Sequence, residues 1–207
     1  MTSIEKKEFY MYEKVVILEK AGEVFGEKGF YLTTIDEIAV RANLKKSILS
    51  KYYKNKDELF LELLTIANAS RKQEVFDTIG LTDDLRERLS RFIISLLRFA
   101  RHQRNYFKIL SVKITAENPE LRQKLAEIDA EFKTAVYQIL QDGIRQGRFR
   151  VVNPLVATAF LGKLIEGTIE VIEAEPSFSA DQMILSMLDM VWNGLAKKTD
   201  GNNGVPV

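Results

Sequence analysis

Apolar residues recur three and four positions apart along most of the chain, with charged residues filling the positions between. That spacing gives an α-helix one buried face. The period-two alternation of a half-buried strand is not sustained anywhere. The pattern predicts nine helices, over residues 10–28, 35–41, 45–51, 56–79, 83–102, 105–115, 119–146, 154–174 and 179–196. Punctuation agrees with it. Asn118-Pro119 and Asn153-Pro154 each read as an N-cap followed by proline in the first turn, and Gly29, Gly80, Gly147 and Gly194 lie where helical patterns end. The fold class is therefore all-α. Residues 1–55 are expected to form one domain and 56–197 a second, with 198–207 a polar, Gly/Asn-rich tail that reads as disordered.

Composition narrows the chemistry. The 207 residues are enough to bury a sizeable core. There is no cysteine, which excludes disulfides, zinc-thiolate sites and thiol catalysis. With His102 the only histidine, a histidine metal pair cannot be built, and any catalytic triad would have to use that one residue. No metal site and no cofactor are expected. No apolar run approaches the roughly 20 residues that a membrane-spanning helix needs, and the N-terminus lacks a basic-then-apolar leader. The expectation is a cytoplasmic protein with no membrane partner. A net charge of +1 argues against coating nucleic acid by bulk charge, but it leaves room for a local basic patch.

Residues 33–59 hold such a patch. Thr34 followed by Glu37 is a capping box, and Ile35, Ile38, Ala39 and Ala42 give the short helix after it one buried face. Ala42-Asn43-Leu44 then reads as a tight turn, because asparagine tolerates the left-handed conformation. In the next helix Leu49 and Tyr53 share the inward face. Lys45, Lys46, Ser47, Ser50 and Lys51 point outward. Two helices joined by a turn of about three residues, the second presenting polar and basic groups, make a helix-turn-helix. From Arg41 to Lys56 there are six basic residues and no acidic one, the footprint expected for a DNA backbone. Asn55 and Glu58 form a second capping box, and Lys56 stands in the first turn after it, where a helix N-terminus favours phosphate.

Four segments carry a family resemblance: Phe25-Gly26-Glu27-Lys28-Gly29-Phe30, Thr33-Thr34-Ile35-Asp36-Glu37-Ile38-Ala39, Ala42-Asn43-Leu44, and Tyr52-Tyr53-Lys54-Asn55-Lys56-Asp57-Glu58-Leu59-Phe60. Together they resemble the DNA-binding domain of the TetR family of bacterial repressors. The resemblance implies nine helices, a homodimer through helices eight and nine, and a small-molecule effector pocket in the C-terminal domain. It implies that Thr34, Tyr52 and Lys56 hold phosphates of a double-stranded operator. Lys45, Lys46, Ser47, Ile48, Ser50 and Lys51 are the candidates facing bases or phosphates, with lysines suited to guanine edges and Ile48 to a thymine methyl. Several positions depart from the commonest family pattern: Asn43 replaces a turn glycine, Lys45 a serine, Ser47 a glycine, Ile48 a threonine and Ser50 a tyrosine. They alter the reading surface and leave the buried pattern intact.

Helices eight and nine are apolar over more than one stripe, which suits either a four-helix dimer interface or a monomer core. Candidate effector contacts are Phe99, His102, Tyr106, Phe107, Leu110, Tyr137, Phe160 and Glu166, a mostly apolar set with a few polar groups. The start of helix seven, Asn118-Pro119-Glu120-Leu121-Arg122, resembles that of family members that sense fatty acyl-CoA. The leading expectation is a ligand-released repressor on a palindromic operator. An activator or effector-independent DNA-binding protein is the alternative. An all-helical small-molecule enzyme is the remote one, with no nucleophile-base pair or phosphate loop to support it.

Overall fold

The computed structural model describes residues 3–114, 118–175, 177 and 179–195, with side chains from Tyr10 onward. The described residues form nine α-helices: α1 (Ser3–Leu32), α2 (Ile35–Arg41), α3 (Lys46–Tyr52), α4 (Lys56–Ile79), α5 (Leu85–His102), α6 (Arg104–Leu110), α7 (Pro119–Arg145), α8 (Pro154–Ala174) and α9 (Ala180–Leu195). The tail expected to be disordered, 198–207, lies outside the described residues.

Two helices differ from expectation by more than a turn. α1 starts seven residues early, in a Lys/Glu-rich stretch of good helix formers. At its other end the chain leaves helical geometry at Gly29, with φ +74°, and then resumes to Leu32. α6 stops at Leu110 rather than 115. Ser111 closes it by donating to the Phe107 and Lys108 carbonyls, and the residues beyond include β-branched Val112 and Ile114. Residue 115 lies outside the described residues.

The chain divides into two compact units, one from residues within 1–73 and 99–128, the other from residues within 74–98 and 129–207. In the first unit, α1, the helix-turn-helix, the first part of α4, α6 and the start of α7 share one core. Phe25, Phe30 and Phe60 meet at its centre, with ring centroids 4.8, 4.9 and 6.2 Å apart. Gly29 makes this possible. Only a residue comfortable at positive φ lets the chain turn there and drop Phe30 inward. Thr33 is buried behind it and donates its hydroxyl to the Gly29 carbonyl at 2.7 Å. Asn118 caps α7 by accepting from Leu121 N–H at 3.1 Å, and its amide donates to Asp57 in the first turn of α4.

In the second unit Phe76, Phe92 and Phe132 form a second aromatic cluster, with centroids 5.2 and 6.2 Å apart along the chain of rings. Asn153 caps α8, accepting from the backbone N–H groups of Leu155 and Val156, with Pro154 in the first turn. Inward residues of α8 (Leu161, Ile165, Ile169) and α9 (Met187, Val191, Leu195) are buried. The two helices also carry apolar residues that nothing among the described residues covers. Leu155, Phe160 and Leu185 are each about two-thirds exposed, and Val156, Leu164, Val171 and Met190 are exposed as well. A groove of about 350 Å³ runs along this face, lined by Val156, Phe160, Leu164 and Met190 among others, with Arg150 at its edge.

The α7–α8 connection depends on a missing side chain. Gly147, at φ +67°, reverses the chain. The N–H groups of Arg148 and Phe149 then both donate to the Gly143 carbonyl, at 2.8 and 3.0 Å. This seats the buried Phe149 ring where a Cβ on Gly143 would overlap it. Gly143→Ala gains up to about 1 kcal/mol of helix propensity, but must displace that ring, which costs about 1–3 kcal/mol. The expected net effect is a lower urea midpoint with an unchanged slope. A variant as stable as the parent would mean that the ring slides aside freely.

Candidate nucleic-acid interface

The geometry of residues 33–59 follows from its caps. Thr34 sits in extended conformation, φ −120° and ψ 152°, and its hydroxyl accepts from Glu37 N–H at 3.2 Å. Asn43 takes the left-handed conformation, φ 54°, and the Leu44 N–H closes the turn on the Ala39 carbonyl at 2.9 Å. Leu44 packs against the core, and Leu49 and Tyr53 are buried beyond it. This pins the inward face of α3. Lys45, Lys46, Ser47, Ser50 and Lys51 consequently face solvent, with Ile48 half-buried between them. Asn55 accepts from Glu58 N–H at 2.9 Å and so caps α4, but the Glu58 carboxylate accepts from Lys54 N–H at 2.7 Å rather than from Asn55, and Glu37 pairs with Lys28 at 2.5 Å, so each predicted box keeps only its cap half.

The basic residues divide into two groups. Lys45, Lys51 and Lys54 have ammonium groups with no ion pair or hydrogen bond among the described residues. The others are engaged. Lys46 Nζ lies 2.8 and 3.0 Å from the two oxygens of Asp36. Arg41 forks onto Glu27 at 2.8 and 3.0 Å, which holds the Glu27 carboxyl below its ordinary pKa and pushes the guanidinium up. Lys56 Nζ donates to the carbonyls of Phe30 at 2.8 Å and Thr33 at 3.1 Å, and sits 4.4 Å above the Phe30 ring. Ser50 Oγ donates back to the Lys46 carbonyl at 3.1 Å.

The two tyrosines separate as well. Tyr52 stacks on Tyr10 with centroids 4.4 Å apart and donates its hydroxyl to Glu13 at 2.5 Å. Tyr53 is buried and donates to Glu62 at 2.9 Å. Burial first, then the neighbouring carboxylate, pushes both phenols far above their ordinary pKa. Both remain neutral donors. Glu13, Glu27, Asp36 and Glu62 supply the carboxylates that engage these groups. No local spacing links them to their partners, which lie on other helices.

The eight effector candidates fall five in the first unit and three in the second. In the first, Phe99 is buried, Tyr106, Phe107 and Leu110 are half-buried, and His102 is exposed. In the second, Tyr137 is half-buried and accepts from Gln141 at 3.1 Å, while Glu166 is exposed and paired with Lys163 at 2.6 Å. Phe160 faces outward into the α8–α9 groove. Among the described residues no group of three potential metal ligands comes together, and no helix is long and apolar enough to cross a membrane.

Residues 17–63 match the family model described as bacterial regulatory proteins, tetR family, and residues 82–195 match that of the tetracyclin repressor-like C-terminal domain. The chain belongs to the TetR family. As a TetR-family protein it is a DNA-binding transcriptional regulator and not an enzyme. It is similar to the HTH-type transcriptional regulator YhgD of Bacillus subtilis, 29% identical over 154 residues, 72% of this chain and 77% of that one. In fold it is similar to AibR in complex with isovaleryl coenzyme A and operator DNA, with a TM-score of 0.79, 17% identity, and coverage of 88% and 99%. It is likewise similar to FadR of Bacillus subtilis in complex with stearoyl-CoA, with a TM-score of 0.73, 21% identity, and coverage of 87% and 98%.

Lys56 yields a direct test in this TetR-family chain. Its ammonium satisfies two carbonyls just after the Gly29 turn, and charged hydrogen bonds contribute about 1.5–3 kcal/mol each. Lys56→Met is expected to lower stability by about 3 kcal/mol, read from denaturant unfolding. Unchanged stability with weakened DNA binding would instead make Lys56 a phosphate contact alone.

Proposed function

We propose that the chain is a homodimeric repressor that holds a near-palindromic operator through α3 and is released when an acyl-coenzyme A binds its C-terminal domain. The observation that carries the reading is the outward face of α3, where Lys45 and Lys51 have no partner among the described residues and stand beside Ser47 and Ser50. Unpaired lysines on a helix locked from behind by Leu49 and Tyr53 suit the major groove. Lys45, Ser47, Ile48, Ser50 and Lys51 would meet base edges or phosphates, while Lys46 stays turned onto Asp36. Thr34, Tyr52 and Lys56 would set register on the backbone. Residues 1–55 act as the DNA-binding domain and 56–197 as the effector and dimerisation domain, in the cytoplasm where the operator lies.

The uncovered apolar face of α8 and α9 supports the dimer. Exposed Val156, Phe160 and Met190 line a groove that a second copy would fill, and Gly162 on α8 has nothing within 4 Å of where a Cβ would stand. A two-fold dimer carries two copies of α3, which suits two successive major-groove turns. The acyl-CoA class is supported by the AibR and FadR complexes and by the Asn118-Pro119-Glu120-Leu121-Arg122 start of α7. Phe99, Tyr106, Phe107 and Leu110 are the contacts that suit an acyl chain, with His102 a polar candidate. Release requires the ligand to bind one dimer state more tightly than the other, and nothing more.

Selection of bound duplexes from a random pool, followed by gel shift, tests the reading. A palindromic site is expected. Lys51→Ala should weaken binding to all sequences and reduce the salt slope by about one. Stearoyl-CoA or isovaleryl-CoA should release the operator. An acyl-CoA that binds and leaves operator affinity unchanged would remove the release mechanism. For the dimer, Phe160→Asp should convert the protein to a folded monomer by sedimentation velocity and abolish operator binding. A dimeric variant would place the interface elsewhere.

A further inference from the structure

The six basic residues from Arg41 to Lys56 overstate the positive charge that α3 offers to DNA, and the Lys46–Asp36 pair is the reason. Lys46 is the first residue of α3, and Asp36 lies in the first turn of α2. The ammonium sits between both carboxylate oxygens, at 2.8 and 3.0 Å, although the two side chains are 63% and 65% exposed. An ion pair that exposed adds little to stability. α2 does not need it for capping either, since Thr34 accepts from Glu37 N–H and Glu37 supplies a second acid in the first turn. The consequence of the pair therefore lies in what α3 presents outward.

We propose that Asp36 is a specificity-determining positioning residue, which holds the Lys46 ammonium off the phosphate backbone and so lowers sequence-independent affinity. The proposal rests on α3 being the DNA-facing helix. A lysine that neutralises a phosphate releases counterions and strengthens binding to every sequence alike. A lysine already neutralised by a carboxylate does this far less. Specificity is a ratio of affinities, so suppressing the common term raises it without any new base contact. The adjacent Lys45, and Lys51 further along the helix, have no such partner among the described residues, so the restraint acts on one of the three lysines between positions 45 and 51.

The test measures duplex affinity against salt for the full chain, using a short random-sequence duplex and the selected operator. Asp36→Asn should steepen the slope of log affinity against log salt by about 0.9. Between 50 and 200 mM salt it should therefore lose roughly threefold more affinity than the parent. Its preference for operator over random duplex should fall. Lys46→Met should leave the slope near the parent value, and Asp36→Asn added to Lys46→Met should change nothing further. An unchanged slope in Asp36→Asn would overturn the proposal. So would equal steepening in the Lys46→Met background, which would mean that Asp36 acts by bare repulsion of DNA. A parent protein that binds neither duplex would remove the DNA-facing assignment of α3 itself, an outcome distinct from both.

Discussion

Phe30 packs its ring against those of Phe25 and Phe60, and the chain on either side of it is held by that contact. The ring reaches the core only because Gly29 adopts φ +74°. Immediately after it, Thr33 donates to the Gly29 carbonyl and Lys56 donates to the carbonyls of Phe30 and Thr33. One left-handed residue thus ties the end of α1 to the start of α4. The helix-turn-helix runs between those two points, and the direction in which α3 faces is inherited from them.

The parts of the fold that were legible in the sequence depend on neighbours three or four residues away. Thr34, Asn55, Asn118 and Asn153 each cap the helix that follows, because a capping oxygen reaches only two or three residues along. The Asn43 turn and the inward Leu49 and Tyr53 follow from the same short-range logic. The ends of α1 and α6 were harder to read. At Gly29 a stop signal is obeyed by one residue only, and at Leu110 the helix closes without glycine or proline.

The candidate site was half legible. Its outward residues could be listed from helical periodicity, since burial of one face dictates exposure of the other. Their electrostatic state could not. A run of sixteen residues without an acid looks uniformly positive as text, yet Glu27 and Asp36 precede it in the chain and lie against it in space. The same limit applies to Phe160. Its apolar ring suited an effector contact, but only the packing of α8 against α9 reveals which of several apolar stripes is covered among the described residues.

Trp192 is the chain's only tryptophan. On α9 its indole lies beside the Phe149 ring, 5.9 Å between centroids, with the Arg86 guanidinium 4.8 Å from its face. Every photon of indole emission therefore originates from one helix, one that also carries uncovered apolar residues. A cation over the ring and a neighbouring aromatic make that emission sensitive to small displacements. The molecule carries its own optical label at the end of the chain where assembly would be felt.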